Sequence, residues 1–337
     1  TTMKFRILAL ATFTAFMSGT AAWAQGDFYR GKQLKIIVGS EAGGGFSSYS
    51  LLLSAYLGKN IPGNPAITIQ HLPGSGGVNA IDYLANAAPK DGTVIAVAMP
   101  NFFVTPFVEP SAVKFNPTQF RFLGRMSDFG RVLVSWHATG VKTIDDLKAK
   151  ETFAGASARR STTSIQPILL NEILGTRMKV ITGFMGSGPT AVALERGEVQ
   201  VTTIAYSTLV SLHPDWLRDK KVNIIAGLDF TDVPGVTKIR DMIADPQKKA
   251  MWDFVALGSE FGTSFLAASD VPDERLRILR QAFDATMRSD ELIADARKRA
   301  LDINPKSGEE LDKLFAAAGS PTPETIKNVG RIMGVEN

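Results

Sequence analysis

A chain of 337 residues, 45% of them hydrophobic, is long enough to bury two ordinary cores, and its size points to two domains. The absence of cysteine excludes disulfides, thiolate metal sites and a cysteine nucleophile. The formal charge of +4 falls to +2 once Lys4 and Arg6 are set aside (35 basic against 33 acidic residues), a balance that does not suggest nucleic acid.

Lys4 and Arg6 precede an apolar run over 7–17, and Ala22-Trp23-Ala24 before Gln25 has the small-x-small form of an export cleavage site. Residues 1–24 therefore read as a secretory signal peptide, too short in its apolar part to span a bilayer. Nothing after Gln25 approaches eighteen consecutive apolar residues, so the remainder is expected to be soluble once exported.

The organising stretch is 34–48, LKIIVGSEAGGGFSS. Ile36, Ile37 and Val38 form a buried strand, Gly43, Gly44 and Gly45 permit a sharp turn, and Ser47 or Ser48 is placed to cap a helix carrying Leu52, Leu53 and Tyr56. A helix start behind a bare glycine loop suits an anion. The pattern repeats: an alternating strand with Ile67 and Ile69 runs into Pro73-Gly74-Ser75-Gly76-Gly77, and a helix over 78–87 follows. A third strand over 93–99 ends in a loop, Pro100-Asn101-Phe102-Phe103.

Strands over 120–123 and 132–136 come next, then a second α/β series. Its strands are 152–156, 178–181, 199–205 and 222–227; its helices are 144–148, 165–174 and 190–196, with Thr143 as a cap and Pro189 as a first helical residue. The loops at its strand ends hold Ser157, Arg159, Arg160, Ser161 and Thr162, then Gly186 and Ser187, then Tyr206. Residues 229–246 are turn-rich, and the return crossing between the halves is expected there or just after. The tail reads as mostly helix, with a capping box at Ser307 and Glu310. Alternating strands and helices predict a parallel α/β sheet whose ligands lie beyond the carboxyl ends of the strands.

Catalytic and nucleotide motifs fail on inspection. Gly45 is followed by Phe46 where a phosphate loop needs lysine, and Asn79 stands where the Gly74-x-Gly76 fingerprint needs a third small residue. Gly186-Ser187-Gly188 does continue to Ala191 in the dinucleotide spacing, yet the next strand holds no acid for a ribose. No serine sits in G-x-S-x-G, and His71, His137 and His213 are scattered, which fits surface or structural histidines better than zinc ligands. Phe46, Phe102, Phe103 and Tyr206 suit either a stacking surface or a core. Arg159 and Arg160 are placed in a strand-to-helix loop where guanidinium groups meet carboxylates in bidentate fashion, although a solvated pair has the same appearance.

The glycine loop Ala42-Gly43-Gly44-Gly45, the turn Ile61-Pro62-Gly63-Asn64-Pro65, Pro73-Gly74-Ser75-Gly76-Gly77, Ala88-Pro89-Lys90-Asp91-Gly92-Thr93, and Leu194-Glu195-Arg196-Gly197-Glu198-Val199 follow one another in an order that resembles the Bug-type receptors. Those are the periplasmic solute-binding proteins of tripartite tricarboxylate transporters. Val271-Pro272-Asp273-Glu274-Arg275 and Ser307-Gly308-Glu309-Glu310 extend the resemblance towards the C-terminus.

The resemblance implies a type II periplasmic binding protein fold, α/β, with two lobes around a ligand cleft: lobe 1 from 26–128 and 250–337, lobe 2 from 129–249. It implies no catalysis, no cofactor and no metal. Its expected partners are a small organic anion, di- or aromatic carboxylate by preference, and the membrane permease subunits of a secondary transporter; the chain itself is expected to be a periplasmic monomer. Carried over residue by residue, the implied ligand contacts are Gly44, Gly45, Phe46, Ser47, Gly74, Ser75, Gly76 and Asn101 in the first lobe, and Ser157, Arg159, Arg160, Ser161, Thr162, Gly186, Ser187 and Tyr206 in the second. The sequence departs from the family by Ser47 where many relatives have Asp, and by Ala158-Arg159-Arg160 in place of a glycine-rich loop, which favours a more anionic ligand. A ligand-sensing module for a membrane signalling partner uses the same fold, and an exported α/β hydrolase-like enzyme is the third reading.

Overall fold

The structure is a computed structural model that describes residues 28–43, 45–157, 161–184, 187–229, 233–318 and 320–335. The expected signal peptide and four of the expected site residues, Gly44, Arg159, Arg160 and Gly186, lie outside the described residues.

The chain opens with β1 (Gln33–Val38), α1 (Gly45–Tyr56), β2 (Ala66–His71), α2 (Val78–Asn86), β3 (Val94–Val97) and α3 (Asn101–Val108). The unbroken apolar run of β1 has a direct cause, because the strand is covered on both faces. Ile37 packs with Val78, Ile81 and Leu84 on one side, while Ile36 and Val38 pack with Leu52 and Leu53 on the other. Each such side chain contributes roughly 1.5–3 kcal/mol when withdrawn from water.

Then come β4 (Phe120–Arg125), β5 (Arg131–Trp136), α4 (Ile144–Ala149), β6 (Thr152–Ala156), α5 (Thr162–Leu174), β7 (Met178–Thr182), α6 (Ser187–Glu195), β8 (Val201–Ala205), α7 (Tyr206–Leu212), α8 (Pro214–Arg218) and β9 (Val222–Gly227). The return comprises α9 (Ile239–Met242), α10 (Pro246–Phe261), β10 (Ser264–Ala268), α11 (Asp273–Met287), α12 (Asp290–Lys298), β11 (Lys306–Ser307), α13 (Gly308–Ala318) and α14 (Pro323–Ile332).

Two sheets result, in the orders β11-β4-β10-β3-β1-β2 and β7-β6-β8-β5-β9. The molecule is thus a two-lobed α/β protein. Neither sheet is parallel throughout, which corrects the sequence-based expectation: β10 runs antiparallel to β3 and β4, and β5 runs antiparallel to β8 and β9. The sequence reading places β10 within a helical tail. Its five residues, SFLAA, are all buried, and so short an apolar run carries no periodicity to separate strand from helix.

Three local expectations also change. Residues 101–103 belong to α3 rather than a loop, and Phe102 and Phe103 are core residues, 2% and 0% exposed. The first helix starts at Gly45, so Ser47 and Ser48 sit in its first turn instead of capping it. Pro189 is the third residue of α6 rather than the first. The caps at Thr143 and Ser307 form as the sequence indicates, each hydroxyl accepting the backbone N–H three residues on.

The sheets are joined by two segments lying side by side. Residues 126–130 carry the chain out, and 259–263 bring it back from α10. Met126 N–H donates to the Thr263 carbonyl at 3.0 Å, Thr263 N–H to Ser127 at 2.8 Å, and Phe129 N–H to Ser259 at 3.1 Å. Gly262 allows this approach: at φ +47°, an added Cβ would lie 2.0 Å from the Ser127 carbonyl oxygen. Before that crossing, α10 packs against α3 and α14 of one lobe and α5 of the other.

Candidate functional site

In the first sheet β1, β2 and β3 are parallel, so their carboxyl ends lie on one edge, and each is followed there by a helical start. The three loops interlock. Gly74, Ser75, Gly76 and Gly77 all have positive φ, a run of left-handed backbone that brings this loop against the neighbouring strand ends. A Cβ on Gly76 would lie 2.0 Å from Asn101 Nδ2, so the Asn101 side chain reaches across from the start of α3 onto the second loop. Gly74, Ser75, Gly76 and Asn101 are therefore brought together as expected from the sequence.

Ser47 points elsewhere. It is wholly buried, and its hydroxyl lies 3.0 Å from Nε2 of His71 at the end of β2, tying the first helix to the second strand. Its side chain faces the protein rather than a ligand, so only its backbone belongs to the loop. Phe46 is half-buried, with its ring packed edge-on to Phe129 of the outgoing segment at 4.9 Å. That contact links the first glycine loop to the crossing between the lobes. Gly45 is exposed at the first turn of α1.

In the second sheet β6, β7 and β8 have the corresponding edge. Ser157, Ser161 and Thr163 form a hydroxyl cluster: Thr163 Oγ1 accepts the Ser157 N–H at 3.0 Å and lies 2.7 Å from Ser161 Oγ. Thr162 begins α5, one turn earlier than the sequence suggests. Gly183 N–H donates to the Ser157 carbonyl at 3.2 Å, which joins the loops after β6 and β7 near the first turn of α6, where Ser187 stands. Tyr206 opens α7, and its N–H donates to the Gly130 carbonyl at 2.8 Å.

A cavity of about 330 Å³ lies where the lobes meet, lined from one side by Asp128, Gly130, Tyr206, Ser207 and Val210, and from the other by Ala300, Leu301 and Asp302. Of the expected contacts only Tyr206 lines it. The glycine loops of the first lobe do not line this cavity.

The group that sequence reasoning missed is Arg131, the first residue of β5. Because β5 is antiparallel to β8, Arg131 pairs with Ala205 at the carboxyl edge of the sheet, level with Ser157 and Tyr206. Side chains alternate along a strand, so Arg131 shares a face with Leu133, which packs with Ile165 and Leu169 of α5. Behind it stands Asp229, just after β9 and 5% exposed. One Asp229 oxygen accepts the Arg131 backbone N–H at 2.9 Å; the other accepts Gln166 Nε2 of α5 at 3.0 Å, with the Ser259 hydroxyl alongside. Burial pushes the Asp229 carboxyl up to about 7, against the pull of the Arg131 charge and these donors. Burial likewise lowers the Arg131 guanidinium from its usual range, with Asp229 opposing. The one available sequence signal was a charged residue directly ahead of the apolar run Val132-Leu133-Val134, at the end of the strand that opens on the crossing.

Among the described residues no three His, Asp or Glu side chains are grouped to hold a metal, and no helix is long and apolar enough to cross a membrane. His213 stacks on Trp216 at 4.1 Å, and His137 lies beside Trp136, so both are accounted for by packing.

No family model matches the chain, and no curated protein matches it in sequence. Solved structures do match its fold. A TctC solute-binding protein from Polaromonas, without ligand, aligns with a TM-score of 0.67 at 15% identity, over 91% of this chain and 99% of that one. A Rhodopseudomonas palustris protein solved with adipate gives 0.64 at 18% identity, over 90% and 98%. MatC from the same organism, with bound malate, gives 0.63 at 17% identity, over 90% and 99%. The chain thus has the two-lobed fold of these periplasmic solute-binding proteins along nearly its whole length.

Proposed function

We propose that this chain is a periplasmic receptor that captures a small organic carboxylate between its lobes and delivers it to the membrane subunits of a tripartite tricarboxylate-type transporter. The observation that carries the reading is the arrangement of strand ends. Each lobe presents a parallel edge followed by helix starts, and two paired crossing segments join the lobes. Helix starts offer N–H groups and partial positive charge to an anion, and a pair of crossing segments suits hinge closure. The adipate and malate bound by two proteins of the same fold support a carboxylate, with di- or aromatic acids favoured. We place the lobe boundaries at 26–128 with 250–337, and at 129–249, with residues 1–24 removed on export and the receptor acting as a monomer.

A hydrolytic reading draws on the serine–histidine contact of Ser47 and His71. It is disfavoured because Ser47 is 0% exposed and because, among the described residues, nothing hydrogen-bonds the other ring nitrogen of His71. A nucleophile needs both access and an oriented base.

The test is a thermal-shift panel of mono-, di- and tricarboxylates, aromatic acids and neutral amides. A ligand at a hundred times its Kd adds about 2.7 kcal/mol, a rise of roughly 2–4 °C for a chain this large. Stabilisation by carboxylates, with no turnover, is the expected outcome; stabilisation only by neutral compounds, or consumption of a bound acid, overturns the reading.

A further inference from the structure

We propose that Arg131 is the cation that anchors the ligand carboxylate on the second lobe. The assignment rests on the receptor reading above and names the group that gives the site its preference for an anion.

Among the described residues the five N–H groups of the Arg131 guanidinium make no hydrogen bond and no ion pair, although the side chain is not exposed and burial disfavours its charge. A charge withdrawn from water is tolerated when it is paired and hydrogen-bonded. Arg125, six positions earlier, shows what the fold does with an arginine it uses for itself: the side chain is 3% exposed, donates to the Glu260 and Asn304 carbonyls, and pairs with Glu260 and Asp128. Arg131 has none of this.

Asp229 is its nearest charge of opposite sign but accepts none of its side-chain N–H groups. Both carboxylate oxygens are engaged, one by the Arg131 backbone N–H and the other by Gln166, so Asp229 fixes the start of β5 against α5. With its carboxyl pushed up to about 7, Asp229 is only partly ionised near neutral pH and offsets the Arg131 charge incompletely. Two further buried atoms of α5 and β8, Gln166 Oε1 and Thr203 Oγ1, have no hydrogen-bond partner among the described residues. Thr203 pairs with Leu133 across the strands, so it too lies on the Arg131 face. This part of the lobe carries polar capacity that the folded chain leaves unused.

The position suits an anion. Asp229 links the Arg131 backbone to the second turn of α5, a 13-residue helix whose start adds its own partial positive charge beside the guanidinium. A carboxylate accepting two N–H bonds from Arg131 satisfies the guanidinium in the planar geometry it favours. On the opposite lobe, Asn101 and the Gly76 loop remain for the far end of the ligand, which suits a short diacid.

The test titrates glutarate, adipate and malate, with adipamide as the neutral control, into the purified protein and into Arg131→Gln and Arg131→Lys. Binding of the acids to the unmodified protein, weakened at least about tenfold in Arg131→Gln and partly restored in Arg131→Lys, is the expected result. The salt dependence of acid binding should shrink in Arg131→Gln alone. Should Arg131→Gln fail to fold, Arg131→Lys keeps the test open, because loss of the planar fork still predicts at least a threefold weakening. Acids that bind the variants within twofold of the unmodified protein overturn the assignment of Arg131 and leave the receptor reading standing. Acids that bind none of the three proteins defeat the receptor reading and the assignment together.

Discussion

Arg125 and Arg131 stand at the two ends of the same connection between the lobes, and the fold treats them in opposite ways. Arg125 closes the first sheet: it is clamped between the α10 terminus and the 304 region, and its charge is answered by Glu260, which also holds Lys306 at 3.0 Å. Arg131 opens the second sheet with its backbone fixed by Asp229 and, among the described residues, no hydrogen bond from its guanidinium. Burial alone does not separate structural from functional arginines; whether the donors are already consumed does.

The loops of the two lobes show a related contrast. Those of the first are shaped by left-handed glycines and by Asn101 lying across them, those of the second by hydroxyls that bond one another around Thr163.

The contrast breaks most visibly at Arg125. Its replacement by Met leaves the Glu260 and Asn304 carbonyls without their donor and removes one of the two cations that face Glu260, which should cost about 3–5 kcal/mol in urea unfolding, while the molecules that remain folded bind carboxylates as before. Replacing Arg131 should do the reverse, sparing stability and weakening binding.

A smaller effect concerns Asp229. Its carboxyl is raised from an ordinary 3.8 to about 7, so the folded state holds the proton more tightly than the unfolded chain. The stability it contributes is therefore fully present below pH 4 and is lost as pH rises through 7. In Asp229→Asn the Gln166 amide, whose oxygen is unpartnered, turns over to accept from the new NH₂. Stability of the ligand-free variant should lose that slope, a difference of roughly 3–4 kcal/mol between pH 4 and 8. Parallel stability curves for the two proteins would show that Asp229 titrates as an ordinary acid.

The smallest effect is expected at Gly76→Ala, about 1–2 kcal/mol, from the left-handed backbone and the contact with Asn101 Nδ2. Adding Asn101→Ala should recover the part due to the clash but not the part due to φ +64°. Full additivity of the two changes would mean that Asn101 does not cross the loop.

Much of the fold was legible because its local signals agree. The apolar runs of β1, β6 and β9, the glycine loops before α1 and α2, and the Thr143 and Ser307 caps each point to the element that forms. What escaped is non-local. β10 is a five-residue insertion between strands more than 130 residues away in sequence, and nothing in SFLAA announces its partners. The site divided in the same way. The Gly74 loop and Asn101 lie where strand-end reasoning puts them, whereas Ser47 is drawn inward by His71, a partner 24 residues away. Arg131 emerges only once β5 is seen to run against its neighbours, which puts the beginning of that strand, not its end, on the edge where the helices start.

The most direct measurement is a crystal structure with the dicarboxylate that stabilises the protein most. The expected result is one carboxylate within 3.2 Å of two guanidinium nitrogens of Arg131 and the other end against the Gly76 loop and Asn101, with the lobes closed over it. A ligand seated in the cavity lined by Asp128, Tyr206 and Asp302, with Arg131 still unengaged, would contradict it.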